Sequence, residues 1–148
     1  MHRCGWACTV DMIAYHDLDW GAPIHNDRSV FEFLVLEGMQ AGLSSETNLR
    51  KRGSYRAAFD SFDAAAIAAY KQSKVKELLA NQGIIRNRLK IEAAIQNAKS
   101  LLVVQKEFGS FNEYVWRFVG GRPKQNHWQS LKDVPTQTPE SNALSKPR

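Results

Sequence analysis

NDRSVFEFLVLEGMQAGLSS, residues 26–45, reads as a helix with both ends marked. Asn26 or Asp27 can accept a hydrogen bond from the first free backbone N–H groups, and Gly42 is a suitable stop. Positions three and four apart share a helix face, so Val30, Leu34 and Ala41 form one apolar stripe, and Glu37 falls in it. An unpaired buried charge is expensive. Glu37 therefore needs a partner, a raised pKa or a cavity to line, unless it lies at the edge of the stripe and reaches water.

Working outward, the same punctuation recurs. Ser44 or Ser45 caps a second helix running to about Arg52, with a weak inner face because Ser45, Glu46 and Asn48 stand where apolar residues would pack. Gly53 is expected to break it before a short turn at residues 55–59. Asp63 then caps the run AAAIAAY, and Ser73 caps KVKELLAN. Ile84, Ile91, Ile95, Ala98 and Leu102 carry helical periodicity through the next segment. Ser110 with Glu113 forms a capping box opening FNEYVWRFV, which Gly120, Gly121 and Pro123 end. Thr138 with Pro139 announces a last helix, ESNALSK.

No stretch reads as a strand beyond brief apolar runs, and no internal repeat is visible, so the expected fold class is all-α. The expectation is one domain, residues 1–148. It comprises a loop-rich aromatic cap (1–25), a helix-hairpin-helix (71–92) and a loop with a short last helix (125–148).

The 148 residues are 43% apolar and 24% charged, ordinary for a globular protein. No apolar run is long enough to cross a bilayer and no signal-peptide pattern is present, so the expected location is cytoplasmic. Two cysteines, Cys4 and Cys8, exclude a disulfide framework. The net charge of +5 hides an asymmetry: residues 1–46 hold two basic and seven acidic side chains. A basic body behind an acidic head points to a polyanion, above all nucleic acid.

Three clusters carry candidate chemistry. Residues 71–92, KQSKVKELLANQGIIRNRLKIE, hold six basic and two acidic side chains around a Gly-containing turn. Free backbone amides there, with Arg86, Arg88 and Lys90, could grip a phosphate; an ordinary hairpin with a solvated basic face is equally consistent. His2, Cys4, Cys8 and His16 are donors that zinc prefers, although their spacing matches no common finger and Cys8 alone reads as a small hydrophobe. Trp6, Tyr15 and Trp20 could sandwich a flat electron-poor ring, or serve as core.

These signals occur in one register with RCGW, YHDLDWG, FEFLVLEGMQAGLS, GIIRNRLKI, FNEYVWRFV and NALSK. Together they resemble the bacterial 3-methyladenine DNA glycosylase I family across essentially the whole chain. The resemblance implies an all-helical, helix-hairpin-helix DNA glycosylase fold. It also implies monofunctional hydrolysis of the N-glycosidic bond of 3-methyladenine in double-stranded alkylated DNA, by a monomer without membrane or protein partners. It gives Glu37 contact with the flipped cationic base and assigns Trp6, Tyr15, Trp20 and the position of Ser45 to the base pocket. Gly83, Ile84, Ile85 and Arg86 match the DNA-holding hairpin, which the basic Arg88 and Lys90 extend as candidate DNA contacts, and Cys4 and His16 match ligands of a structural zinc.

The sequence departs from the family pattern at several points. Ser45 stands where the family has a stacking tryptophan, and Met12 where a second tyrosine is common. The family continues past NALSK with a KRGF segment, a core helix and the remaining zinc ligands. The expectation is thus a chain truncated at its C-terminus with two of four zinc ligands. It would be an active glycosylase, or a catalytically weak relative that only binds DNA, or a fragment unstable alone.

Overall fold

The computed structural model describes residues 2–146, and among them every regular element is helical. The helices are α1 (Val10–Leu18), α2 (Asp27–Gln40), α3 (Ser45–Arg50), α4 (Arg52–Ala58), α5 (Ala64–Ala68), α6 (Gln72–Ala80), α7 (Arg88–Phe108), α8 (Phe111–Trp116) and α9 (Pro139–Ser145). Three 3-10 turns, at Asp60–Phe62, Arg117–Val119 and Leu131–Asp133, complete the regular structure. No described helix is long and apolar enough to cross a membrane.

Helix α7 is the spine. Ile91, Ala94, Ile95, Ala98 and Leu101 recur at helical spacing and are buried, and α2, α5, α6 and α8 pack against this helix. Phe31, Tyr55, Phe59, Phe62 and Ile67 fill the centre of the core. At about 1.5–3 kcal/mol for each large apolar side chain buried, such residues dominate the stability.

The inward face of α2 differs from the expected stripe. Phe31, Val35, Leu36 and Met39 are buried, whereas Leu34 is 46% exposed and Glu37 is also exposed. The physical reason is area: the 31/35/39 stripe buries a phenyl ring and a thioether where 30/34/41 offers smaller groups. The carboxylate that does enter the interior is Glu32, 7% exposed. Arg56 Nε reaches its Oε1 at 2.7 Å and Arg52 Nε at 3.2 Å, so the buried charge is paired.

Local punctuation is mostly as expected, with instructive departures. Asn26 caps α2, Ser44 α3, Asp63 α5 and Thr138 α9, each through its side-chain oxygen. Residues 1–25 are less loop-rich than expected, because α1 lies within them, capped by Thr9. Gly53 breaks nothing; it sits in the first turn of α4, where backbone amides need no partner within the helix. Ser73 lies inside α6, which begins after Lys71 without a side-chain cap. The capping box at Ser110 is half formed: Ser110 Oγ accepts from the Glu113 amide at 3.0 Å. The other amides of that turn go to Asp27, whose carboxylate takes the Phe111 N–H at 3.0 Å, the Asn112 N–H at 2.7 Å and Gln105 Nε2 at 2.7 Å. Asp27 thus joins the start of α2 to the α7–α8 corner.

Candidate active site

Three successive segments between Trp6 and Arg52 enclose a cavity of about 310 Å³. The N-terminal segment and α1 supply Trp6, Tyr15 and Trp20. Helix α2 supplies Phe33, Glu37 and Gln40, and the α3–α4 stretch supplies Ser45, Asn48 and Arg52. Glu37 is exposed because its face of α2 forms the cavity wall, which resolves the oddity of a carboxylate on an apolar stripe.

The aromatic part of the wall is mutually braced. Trp6 meets Trp20 edge-on with ring centroids 5.4 Å apart, and Tyr15 at 6.2 Å. Such pairs add about 0.5–1.5 kcal/mol beyond burial, which keeps the rings standing in a half-open cavity. Burial raises the pKa of the Tyr15 phenol, and the nearby Glu37 and Asp19 carboxylates raise it further against the opposing Arg52 charge. Tyr15 therefore stays neutral and can donate a hydrogen bond.

Arg52 organises the charges behind the wall. Its Nη1 lies 3.1 Å from Asp19 Oδ2, its Nε bonds Glu32, and its guanidinium covers the Phe33 ring at 4.8 Å. Two arginines thus face Glu32 and Asp19, and Glu37 is the carboxylate left over on the cavity side. The sequence did carry a signal for this: Arg52 and Arg56, four apart on one helix face, suit a shared carboxylate.

The polar part of the wall is unevenly satisfied. Gln40 Nε2 donates to Ser45 Oγ at 2.9 Å. Asn48, 6% exposed, donates from Nδ2 to the Leu36 carbonyl at 2.7 Å, while its Oδ1 is buried without a partner.

Behind the aromatic wall, Cys4 and His16 are brought together through the Cys4 backbone. The Cys4 backbone N–H donates to His16 Nε2 at 3.3 Å, and His16 Nδ1 lies 2.9 Å from Asp17 Oδ1. Both imidazole nitrogens are thereby engaged, and the ring stacks on Trp20 at 5.4 Å. Hydrogen bonds from Arg3 first and His16 second hold the Asp17 carboxyl down at about 2. Cys8 donates its thiol to the Gly5 carbonyl, and His2 is exposed. Among the described residues no three His, Cys, Asp or Glu side chains are disposed to hold a metal ion. The donor set does not fit the four ligands that a closed structural zinc requires.

The hairpin is equally specific about which groups are free. Gly83 donates its amide to Asn81 Oδ1 at 2.8 Å, Ile84 is core, and the Ile85 amide donates to the Tyr55 hydroxyl at 3.0 Å. A Cβ at Gly83 would lie 2.8 Å from Ser54 Oγ, so only glycine lets the turn approach α4 this closely. The second hairpin helix starts at Arg88, because Asn87 is its cap. Arg86 and Arg88 are exposed at the turn. Lys90 is not: its Nζ donates to the Met39 carbonyl at 2.9 Å and to that of Ala41. Lys90, expected at phosphate, is instead found with its ammonium taken up by these two carbonyls at the end of α2.

Comparison with known proteins places this geometry. A model of the methyladenine glycosylase family matches residues 6–147. The DNA-3-methyladenine glycosylase 1 of Escherichia coli strain K12 is 44% identical, over 99% of this chain and 79% of its own length. A crystal structure of a 3-methyladenine DNA glycosylase I superposes with a TM-score of 0.92 at 47% identity, covering 97% of this chain and 79% of that one. The Staphylococcus aureus enzyme, studied for 3-methyladenine recognition, gives a TM-score of 0.93 at 30% identity, covering 98% and 78%. With its sequence and its backbone agreeing along almost the whole length, the chain belongs to the methyladenine glycosylase family.

Proposed function

We propose that the chain is a base-excision repair glycosylase that hydrolyses the N-glycosidic bond of 3-methyladenine in alkylated double-stranded DNA, acting as a monomer in the cytoplasm. The observation that carries this reading is the exposed Glu37 carboxylate on the wall of an aromatic-lined cavity, beside a neutral Tyr15.

The chemistry asks little of such a site. Methylation at N3 makes the base a cation, which weakens the bond from N9 to the sugar C1′. The base must be flipped out of the duplex to enter the cavity, and a lesion that pairs poorly is the least costly to extrude. Trp6 and Trp20 offer faces on which a flat ring can stack, worth about 1–3 kcal/mol. The Glu37 charge favours the cationic base over an undamaged neutral one, and Tyr15 can donate to a ring nitrogen. When the N9–C1′ bond breaks, its electron pair leaves with the base, which departs neutral. Water adds its oxygen to C1′ and gives its proton to solvent. Among the described residues the cavity lining holds Arg52 as its only cation.

DNA is held from outside the cavity by the hairpin, with Arg86 and Arg88 as its phosphate contacts. The expected outcome with methylated duplex is release of free 3-methyladenine, measured by chromatography of the supernatant. Glu37→Gln should lower single-turnover release by about 10- to 100-fold, the worth of a hydrogen bond to a charged group, while salt-dependent duplex binding persists. Binding without release by the wild-type chain would leave only the DNA-binding reading standing.

A further inference from the structure

Helix α2 ends with no basic residue in its last turn, although a helix C-terminus leaves carbonyls free and carries negative charge. The accounting at this end is tight. The Gly38 carbonyl takes the Ala41 amide and the Gln40 carbonyl takes the Leu43 amide at 2.7 Å. The carbonyls of Met39 and Ala41 take Lys90 Nζ, from a residue about fifty positions away in the sequence. The Lys90 stem lies in the apolar groove between α2 and α7, lined also by Leu34, Met39 and Leu89. Its charge can therefore reach the helix end while its methylenes stay out of water.

Lys90 stands in the first turn of α7, directly after the hairpin's Gly83 turn, its amide held by the Asn87 cap at 3.2 Å. The segment it grips turns at Gly42, with φ of 82°, and runs into Ser44, the cap of α3, whose Ser45 and Asn48 line the cavity. One ammonium group thus connects the hairpin to the cavity wall.

We infer that Lys90 is a positioning residue: it clamps the C-terminal end of α2 to the DNA-holding hairpin, so that seating the hairpin on phosphate fixes the wall that receives the flipped base. The inference rests on the proposed glycosylase function for its kinetic consequence, but the clamp itself exists in the free protein.

The experiment compares Lys90→Met, Lys90→Arg and, as a phosphate-contact control, Arg86→Ala. In the free Lys90→Met protein, exchange of the Ala41 and Leu43 amides with deuterium should accelerate at least about tenfold, with core amides of α7 unchanged. Single-turnover release should fall at least about tenfold, whereas the slope of duplex affinity against salt stays that of the wild type. Arg86→Ala should instead flatten that slope by about one. Lys90→Arg keeps a cationic donor and should recover most of the rate and the protection.

Three outcomes overturn the inference: unchanged exchange at Ala41 and Leu43, a Lys90→Met slope flattened like that of Arg86→Ala, or a Lys90→Arg variant as slow as Lys90→Met. If the wild-type chain released no base, the glycosylase reading would fail, and the exchange comparison would still decide whether the clamp exists.

Discussion

Asn48 sets the sharpest conflict at a single residue. Its amide nitrogen is well used on the Leu36 carbonyl, but its buried oxygen has no partner, and an unsatisfied buried acceptor costs about 1–3 kcal/mol. The bond it makes is worth about 0.5–1.5 kcal/mol, so the site loses on balance. Asn48→Leu, which branches at Cγ as asparagine does and has no polar atoms, should raise stability by about 1 kcal/mol, read as a higher urea midpoint at constant slope. A lower midpoint would show that the Leu36 bond outweighs the orphaned oxygen.

Among elements, the junction of α2 with α8 carries a pH dependence of its own. Burial alone would push the Asp27 carboxyl up, but hydrogen bonds from Gln105, Asn112 and Phe111 outweigh it and leave its pKa below the ordinary carboxylate value. A depressed folded-state pKa contributes stability above the unfolded value of about 3.9 and loses it as pH falls through the folded value. Asp27→Asn should therefore lower the melting temperature at pH 7 and change it much less below pH 3, as followed by circular dichroism across that range. An equal loss at both pH values would mean that shape, not charge, holds the corner. This junction also shows what the sequence could tell. Asn26, Ser44, Asp63 and Thr138 were legible as caps because their acceptors serve amides two or three residues away. Asp27 capping α8 and Lys90 capping α2 were not, because their partners are 78 to 85 and 49 to 51 positions distant. The inward stripe of α2 was ambiguous for a related reason. Two adjacent stripes are both apolar, and α7 decides between them.

At the scale of the molecule, the acidic N-terminal part builds the cavity and the basic remainder presents the hairpin, which explains why charge pointed to a polyanion before any fold was in view. The aromatic residues of the candidate site were visible in the sequence as a cluster. Arg52, Glu32 and Phe33 were missed because nothing local distinguishes them from surface and core residues. The N-terminal cap is braced by the Arg3–Asp17–His16 chain and by the His16 ring, which stacks on Trp20 and meets Trp6 at a tilt. Dialysis against a chelator should leave the melting temperature unchanged, and elemental analysis should find well under one zinc per chain. One tightly held zinc per chain would show that other donors complete the site. The edge-on contact of Trp6 with Trp20 has a practical consequence. Both indoles of this pair lie in the wall that a base would enter, so the protein carries an optical reporter of its own occupancy, and the filling of the cavity can be followed in real time by intrinsic emission, with no label attached.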